Sequence, residues 1–263
     1  STITDPFHWR NMSRPPTDLL PYIKEVVTIQ DEFRSYFGWS LEHDQLSATE
    51  LISAVEDSGI DLWSRANRAA TVANLQRRAV LREQNVAILG AAIDVDELTE
   101  TLETPTLLIV ADGAAGVFSL LPDTSAERAW SRLLFMVSDA DGGDGTAQAV
   151  KRGKTIFLHA HGDNQADWNK ILKLAEEAPS PPPLILTHQT PGEIPGMHNP
   201  GGFTDGDRAA CIALSMGIPH NRISLLGTNT KEVGRWSGTT VISMKLDKLQ
   251  WMGRILKKLN LDF

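Results

Sequence analysis

A single cysteine, Cys211, in 263 residues excludes a disulfide framework and any cysteine-based zinc site within one chain. Cys211 falls on or beside the apolar face of a helical pattern, so packing is its expected role. Positive charge is also scarce. Twenty-five Lys and Arg against 33 Asp and Glu leave a formal net charge of -8, which argues against nucleic acid as a partner, since a sequence-independent grip needs a basic face to displace counterions. No apolar run is long enough to span a bilayer, and the N-terminus is polar and aromatic instead of a charged lead into an apolar stretch. A soluble, cytoplasmic protein without a membrane partner is the expectation. There is no internal repeat and no low-complexity tract.

What is present divides at about residue 84. Residues 1–83 carry helix-like periodicity and no convincing strand. Ser47 with Glu50 has the spacing of a capping box, and a second helix is expected from about Asp61 to Gln84, with Leu62, Ala66, Ala69, Ala73, Leu75 and Val80 in loose helical spacing. From Asn85 onward short apolar runs alternate with helical segments: Val86 to Leu89, Thr106 to Ala111, Leu133 to Val137, Thr155 to Leu158, Leu184 to Thr187, Ile223 to Leu226 and Thr239 to Met244. They are apolar throughout, which predicts a mostly parallel sheet buried on both faces and flanked by helices. The organisation expected is an N-terminal helical segment, 1–83, followed by an α/β domain, 84–263. Pro191 to Pro200, with three prolines and two glycines, reads as a surface loop able to close over a cleft as a lid. A last helix is expected from about Lys245 to Leu259.

Polar clusters follow several of these runs, and in an open α/β sheet the carboxyl ends of the strands form one edge. The clusters are Ala111-Asp112-Gly113, Ser138-Asp139-Ala140-Asp141-Gly142 and His159-Ala160-His161-Gly162-Asp163-Asn164. A fourth, Gly201-Gly202-Phe203-Thr204-Asp205-Gly206-Asp207-Arg208, opens a helix in which Ala209, Ile212, Ala213 and Met216 recur at helical spacing, Thr204 is the expected N-cap, Gly217 a left-handed cap and Pro219 a stop. One shared cleft is therefore expected. Asp139 and Asp141, one residue apart, share a direction in an extended segment, and adjacent carboxylates repel unless a cation joins them; hard oxygen ligands suit Mg²⁺. The competing structural readings are ordinary: Asp-Gly turns, and carboxylates that favour the first turn of a helix through its dipole. Arg208 beside the pair Asp205 and Asp207 tips the balance toward a phosphate clamp. Four of the seven histidines lie between His159 and His198, which favours a functional role for at least one.

In their order along the chain these clusters, with Lys245 and Lys248-Leu249 and with Phe37-Gly38-Trp39 upstream, resemble the archaeal MptE-type 6-hydroxymethyl-7,8-dihydropterin pyrophosphokinases and, more distantly, thiamine pyrophosphokinase. The resemblance implies a thiamine-pyrophosphokinase-like, Rossmann-like α/β fold. It also implies Mg²⁺- and ATP-dependent transfer of a diphosphate to the hydroxymethyl group of a reduced pterin, with AMP released, in tetrahydromethanopterin- or folate-type biosynthesis. On that reading Asp139, Asp141 and Asp205 hold Mg²⁺. Arg208 and Lys245 meet the ATP phosphates, His159, His161, Asp163 and Asn164 line the reaction centre, and Asp112, Gly113, Thr204 and Asp207 contribute to nucleotide binding. Asp207 either assists the metal or fixes Arg208, and Asp163 or a histidine serves as general base. Two positions depart from the family: Gly90-Ala91-Ala92-Ile93-Asp94 replaces a Gly-Pro-Ser turn, and Gly227-Thr228-Asn229 lacks the usual Asp.

Three rivals stand beside this reading. The stretch His159-Ala160-His161-Gly162-Asp163 resembles the His-x-His-x-Asp of metallo-β-lactamase-like hydrolases, whose imidazole-rich sites prefer zinc or iron. Thiamine is the competing acceptor, and a non-enzymatic nucleotide-binding module is the third alternative. A homodimer formed across the helical N-terminal segment is one assembly the sequence allows.

Overall fold

The computed structural model describes residues 18–238 and 241–263. Strands β1 (Val86–Leu89), β2 (Leu107–Ala111), β3 (Leu133–Ser138), β4 (Ile156–His159), β5 (Leu184–Thr187) and β6 (Ile223–Leu226) form one all-parallel sheet in the order β5-β4-β3-β2-β1-β6. The mostly parallel α/β reading is borne out. Strands β1 to β5 are buried along their length, because alternate residues feed two cores, while β6, at the sheet edge, is only partly buried. Val86, Ile88 and Ile109 pack on one side, and Ala87, Leu89 and Val110 on the other. The chain steps strand by strand from β1 to β5 and then returns to place β6 on the far side of β1. That reversal puts a topological switch point at the carboxyl ends of β1 and β6, where ligands bind in such sheets.

The N-terminal part is helical as expected, with α1 (Glu25–Phe37), α2 (Leu41–Glu56) and α3 (Arg65–Leu81). It shares its cores with the sheet. Val26, Ile29, Phe33 and Val72 pack with α8 (Asp205–Ser215) and α9 (Ile242–Lys258) on one face, and Leu51, Val55 and Trp63 join the opposite face. Between the strands run α4 (Val95–Leu102), α5 (Asp123–Arg132), α6 (Gly143–Lys151) and α7 (Gln165–Glu177). No helix among the described residues is long and apolar enough to cross a membrane.

Four expectations change. The helix assigned a start at Ser47 begins at Leu41, where the Ser40 side chain accepts from the His43 N–H. Ser47 is buried mid-helix, and its hydroxyl donates to Asn164 Oδ1 at 3.2 Å and accepts from Trp168 Nε1 at 3.1 Å. The helix assigned to Asp61–Gln84 splits into a 3-10 turn, Asp61–Trp63, and α3, which Ser64 caps. Of the strand placed at Thr239–Met244, Thr239 and Thr240 lie outside the described residues, and from Ile242 the chain is helical. There the spacing of buried Leu249, Met252, Ile255 and Leu256 outweighs the local β-branched residues. The Pro191–Pro200 loop is no lid. His198 pairs with the β5 edge through His198 N–H to Leu186 O and His188 N–H to His198 O, both at 2.9 Å, while Arg68 holds Gly196 O and Gln30 holds Asn199.

Candidate active site

The sheet's carboxyl edge gathers acidic residues from three elements. β2 ends at Ala111, and Asp112 opens a 3-10 turn with φ 43°. β3 ends at Ser138, and Asp139 and Asp141 follow around Ala140, whose φ of 78° is left-handed. Asp205 is the first residue of α8. One carboxylate oxygen from each of Asp112, Asp139 and Asp205 lies within 4.8 Å of the others. Positive φ at two non-glycine residues beside these carboxylates is backbone strain concentrated at one spot. The segment is not extended as expected, because Ala140 turns the chain; Asp112 joins Asp139 and Asp205 in the trio, and the Asp141 carboxyl lies close to those of Asp112 and Asp139.

The trio is unfinished in hydrogen-bonding terms. Ser138 and Thr146 hydroxyls donate to Asp112 Oδ1, whereas Asp112 Oδ2 and Asp139 Oδ1 are buried without a partner among the described residues. Burial, then the charges of Asp139 and Asp141, push the Asp112 carboxyl well above the ordinary range, and burial with Asp139 and Asp112 does the same to Asp205. Asp139 goes the other way. Burial opposes its charge, but the His161 ring, 3.5 Å away, outweighs it through hydrogen bonding and charge and holds Asp139 well below the usual value. Burial likewise disfavours the His161 imidazolium, yet Asp139 and Asp163, the latter at 3.3 Å, lift it to about 9, so the ring is cationic at neutral pH. Orphaned buried carboxylate oxygens, mutually repelling and all hard donors, fit a divalent ion of the Mg²⁺ type. No histidine belongs to the metal-capable group found among the described residues.

Two cavities flank the trio. The first, about 70 Å³, lies at the β1/β6 switch point between Gly90, Gly113, Gly227 and a strap, Thr228–Gly238. The strap is anchored by Trp236, whose N–H donates to Ala91 O and whose indole N–H donates to Ile93 O, both at 3.0 Å. The second, about 360 Å³, runs from Asp139 and His161 under the N-terminal helices to Trp39 and Asp44. Asp141, Thr204, Asp205 and Lys245 line both.

Of the residues singled out in the sequence, Asp112, Gly113, Asp139, Asp141, His161, Asp163, Thr204, Asp205 and Lys245 line one or both cavities. His159, Asn164, Asp207 and Arg208 line neither, and each is engaged elsewhere. Arg208 is 1% exposed and donates to Asp205 Oδ1 at 2.9 Å and Phe203 O at 2.7 Å, so it positions a carboxylate from behind the cavity walls. Asp207 closes a capping box with Thr204 and also accepts from Phe203 N–H; it neither assists a metal nor fixes Arg208. Asn164 braces the site, donating to Asp139 O at 3.0 Å and His159 O at 2.7 Å and accepting from His161 N–H at 3.0 Å. His159 is buried between Thr187 Oγ1 at 2.9 Å and Gln189 Oε1 at 3.2 Å, which removes it from a His-x-His-x-Asp metal set. Gly201 and Gly202 do not form a flexible phosphate loop. At φ 96° and 97° they admit the close approach of Val26 and Arg208, and an added Cβ would lie 2.4 and 2.6 Å from those residues.

Sequence reasoning missed Asp44, Gln189 and the Trp236 strap as cavity walls. Asp44 looks like any surface helix carboxylate, and the one upstream signal was Phe37-Gly38-Trp39. The structure thus defines a Rossmann-like α/β protein with an acidic, cation-suited cleft at its switch point.

Three curated archaeal proteins named 6-hydroxymethyl-7,8-dihydropterin pyrophosphokinase are similar to this chain. The Methanothermobacter thermautotrophicus protein is 34% identical over 138 residues, half of each chain. The Pyrococcus furiosus protein is 30% identical over 187 residues, 66% of this chain and 71% of the relative. The Methanocaldococcus jannaschii protein is 26% identical over 205 residues, 73% of each. The chain belongs to the 6-hydroxymethyl-7,8-dihydropterin pyrophosphokinase family. No family profile and no solved structure matches it.

Proposed function

We propose that this chain transfers a diphosphate from ATP to the hydroxymethyl group of 6-hydroxymethyl-7,8-dihydropterin, releasing AMP, as a step in tetrahydromethanopterin- or folate-type pterin synthesis. Asp112, Asp139 and Asp205 hold Mg²⁺ in this reading. The observation that carries it is a carboxylate trio, with one oxygen each of Asp112 and Asp139 buried and unpartnered among the described residues, at the meeting point of two cavities. The relatives' names support the acceptor.

Bound Mg²⁺ would supply neutralisation of the phosphate charge, which with positioning accounts for most of phosphoryl-transfer catalysis. The chain's own groups do the rest. The cavity at the switch point takes the nucleotide; Gly90, Gly113 and Gly227 line it and let the surrounding loops pack closely around it. The Thr228–Gly238 strap forms the outer wall of this cavity, held in place by Trp236. Lys245 and Thr204, facing both cavities, donate to the transferring group. Asp141, the carboxylate outside the trio that also faces both, accepts the proton of the acceptor hydroxyl. His161, already protonated, balances the charge of Asp139 and does not serve as base. The N-terminal segment, 1–83, and the α/β part, 84–263, work as one catalytic unit.

The test is to supply ATP and Mg²⁺ with the dihydropterin or with thiamine and to identify the products. AMP and a diphosphorylated pterin are expected. Tightly held zinc or iron in the purified protein with no AMP formed would favour a hydrolase, and diphosphorylated thiamine would move the acceptor assignment.

A further inference from the structure

Asp44 lies on α2, outside the strand-end machinery, yet it is a wall of the 360 Å³ cavity. It is 2% exposed. Its Oδ2 accepts from Arg34 Nε at 3.0 Å and from Gln189 Nε2 at 3.0 Å, while Oδ1 has no hydrogen-bond partner among the described residues. Arg34 is itself tied to Gln189 O at 2.6 Å and to Asp31. Gln189 is fixed in turn: its Oε1 faces His159 Nε2 at 3.2 Å, and His159 Nδ1 faces the Thr187 hydroxyl at 2.9 Å. Because Gln189 Oε1 can only accept, His159 carries its proton on Nε2 and takes the Thr187 hydroxyl on Nδ1. Burial, followed by the charges of Arg208 and His161, holds that ring well below the ordinary histidine value, hence neutral, as this relay requires. A chain of four hydrogen-bonded groups thus runs from the end of β5 to a buried carboxylate with one face left over. A buried carboxylate is costly unless its lone pairs are used.

Aromatic side chains, Trp39 and Phe203, also line this cavity. Trp39 stacks on Phe37 with centroids 4.6 Å apart at 14°, and Phe203 lies 5.9 Å from Trp39. Phe203 is buried, while Trp39 is 36% exposed, with Lys248 Nζ 5.4 Å from its ring. A flat ring lodged against these aromatics, with two parallel N–H donors on one edge, satisfies the aromatics and Asp44 alike. A 2-amino-4-oxo pteridine carries that edge in its 2-amino group and N3–H, and a carboxylate meets such a pair bidentately. The thiazolium of thiamine has no such edge.

We propose that Asp44 is a specificity-determining residue, that it binds the 2-amino/N3–H edge of the acceptor, and that the N-terminal helices therefore build the acceptor subsite. This rests on the pterin reading of the site. Gln189 and His159 are positioning residues for Asp44. The reacting hydroxymethyl group then faces Asp141, Thr204 and Lys245 at the junction with the nucleotide cavity.

The test measures acceptor binding directly, by calorimetry with 6-hydroxymethyl-7,8-dihydropterin and no ATP, alongside steady-state kinetics. In Asp44→Asn the acceptor Kd and KM are expected to rise on the order of 10- to 100-fold, the scale of a hydrogen bond to a charged group, with the KM for ATP within about twofold. A pteridine lacking the 2-amino group should bind unmodified protein and Asp44→Asn with similar weakness, a readout that a merely structural role would not move. Asp44→Asn also loosens a buried ion pair, so Trp39→Ala, at a half-exposed wall, is the second variant; it should weaken the pteridine and leave ATP unaffected. Unchanged acceptor affinity in both folded variants would overturn the subsite while leaving the pyrophosphokinase reading intact. Failure of the unmodified protein to bind the pterin would overturn both, and normal pterin binding without AMP release would count against the catalytic reading alone.

Discussion

Asp205 and Asp207 occupy the same first turn of α8, and the structure gives them opposite situations. Every oxygen of Asp207 is consumed by the capping box and the Phe203 N–H. Asp205 accepts from Arg208 and joins two other carboxylates, Asp112 and Asp139, each with one oxygen buried and unpartnered among the described residues. Both are acidic, both sit near a cationic Arg208, and both have carboxyls raised chiefly by burial. The difference is satisfaction. A satisfied buried carboxylate is part of the fold, whereas an unsatisfied cluster stores a cost that a ligand can relieve.

Breaking each side of this comparison should give different losses. The largest concerns activity. Asp139→Ala and Asp205→Asn should each lower turnover by ~10²-fold or more, the scale of losing one charge-stabilising group. Without divalent cations both variants should also melt below the parent, because Asp139→Ala strands the His161 cation and Asp205→Asn weakens the buried pair with Arg208. AMP formation and calorimetric melting check both halves.

Acid should act on satisfied groups. His188 Nδ1 accepts from Thr190 N–H and His198 Nδ1 from Leu19 N–H, each at 3.2 Å, which requires neutral rings, and burial pushes both down to about 4. The unfolded chain takes up these protons near pH 6.5 and the folded chain only near 4, so their contribution is full above 6.5 and is lost as pH falls from 6.5 to 4. It amounts to roughly 3 kcal/mol for each ring. Urea unfolding at stepped pH should show stability falling through that window, with a shallower slope in His198→Gln.

Asp207→Ala should cost about 2–4 kcal/mol by leaving buried N–H groups unpaired and removing the cap. The surviving folded protein should keep its affinity for Mg²⁺. At the small end, cutting the exposed Arg254–Glu32 pair, 2.8 Å apart, should change stability by less than about 1 kcal/mol.

Much of the fold was legible in the sequence, since parallel strands buried on both faces must be apolar throughout, and six such runs are strands of the sheet. The seventh was misread because β-branched residues at 239–242 mask the start of an amphipathic helix whose periodicity emerges only from Leu249. The site was legible as clusters at strand ends but not as roles. Sequence places Asp112, Asp139, Asp205 and Asp207 alike after apolar runs, and only geometry shows which oxygens are already spoken for. Arg208 misled for the same reason, since a guanidinium beside carboxylates reads as a phosphate clamp until its donors are traced to Asp205 and Phe203. Asp44 was invisible because its partners, Arg34 and Gln189, lie 10 and 145 residues away.

The most direct measurement is the melting temperature of the EDTA-treated protein as Mg²⁺ is added, in the parent, in Asp112→Asn and in Asp207→Asn. A cation that binds the folded trio stabilises it in proportion to its occupancy. The parent and Asp207→Asn should rise together with Mg²⁺ while Asp112→Asn stays flat. A rise of equal size in Asp112→Asn, or none in the parent even with ATP present, would contradict the account.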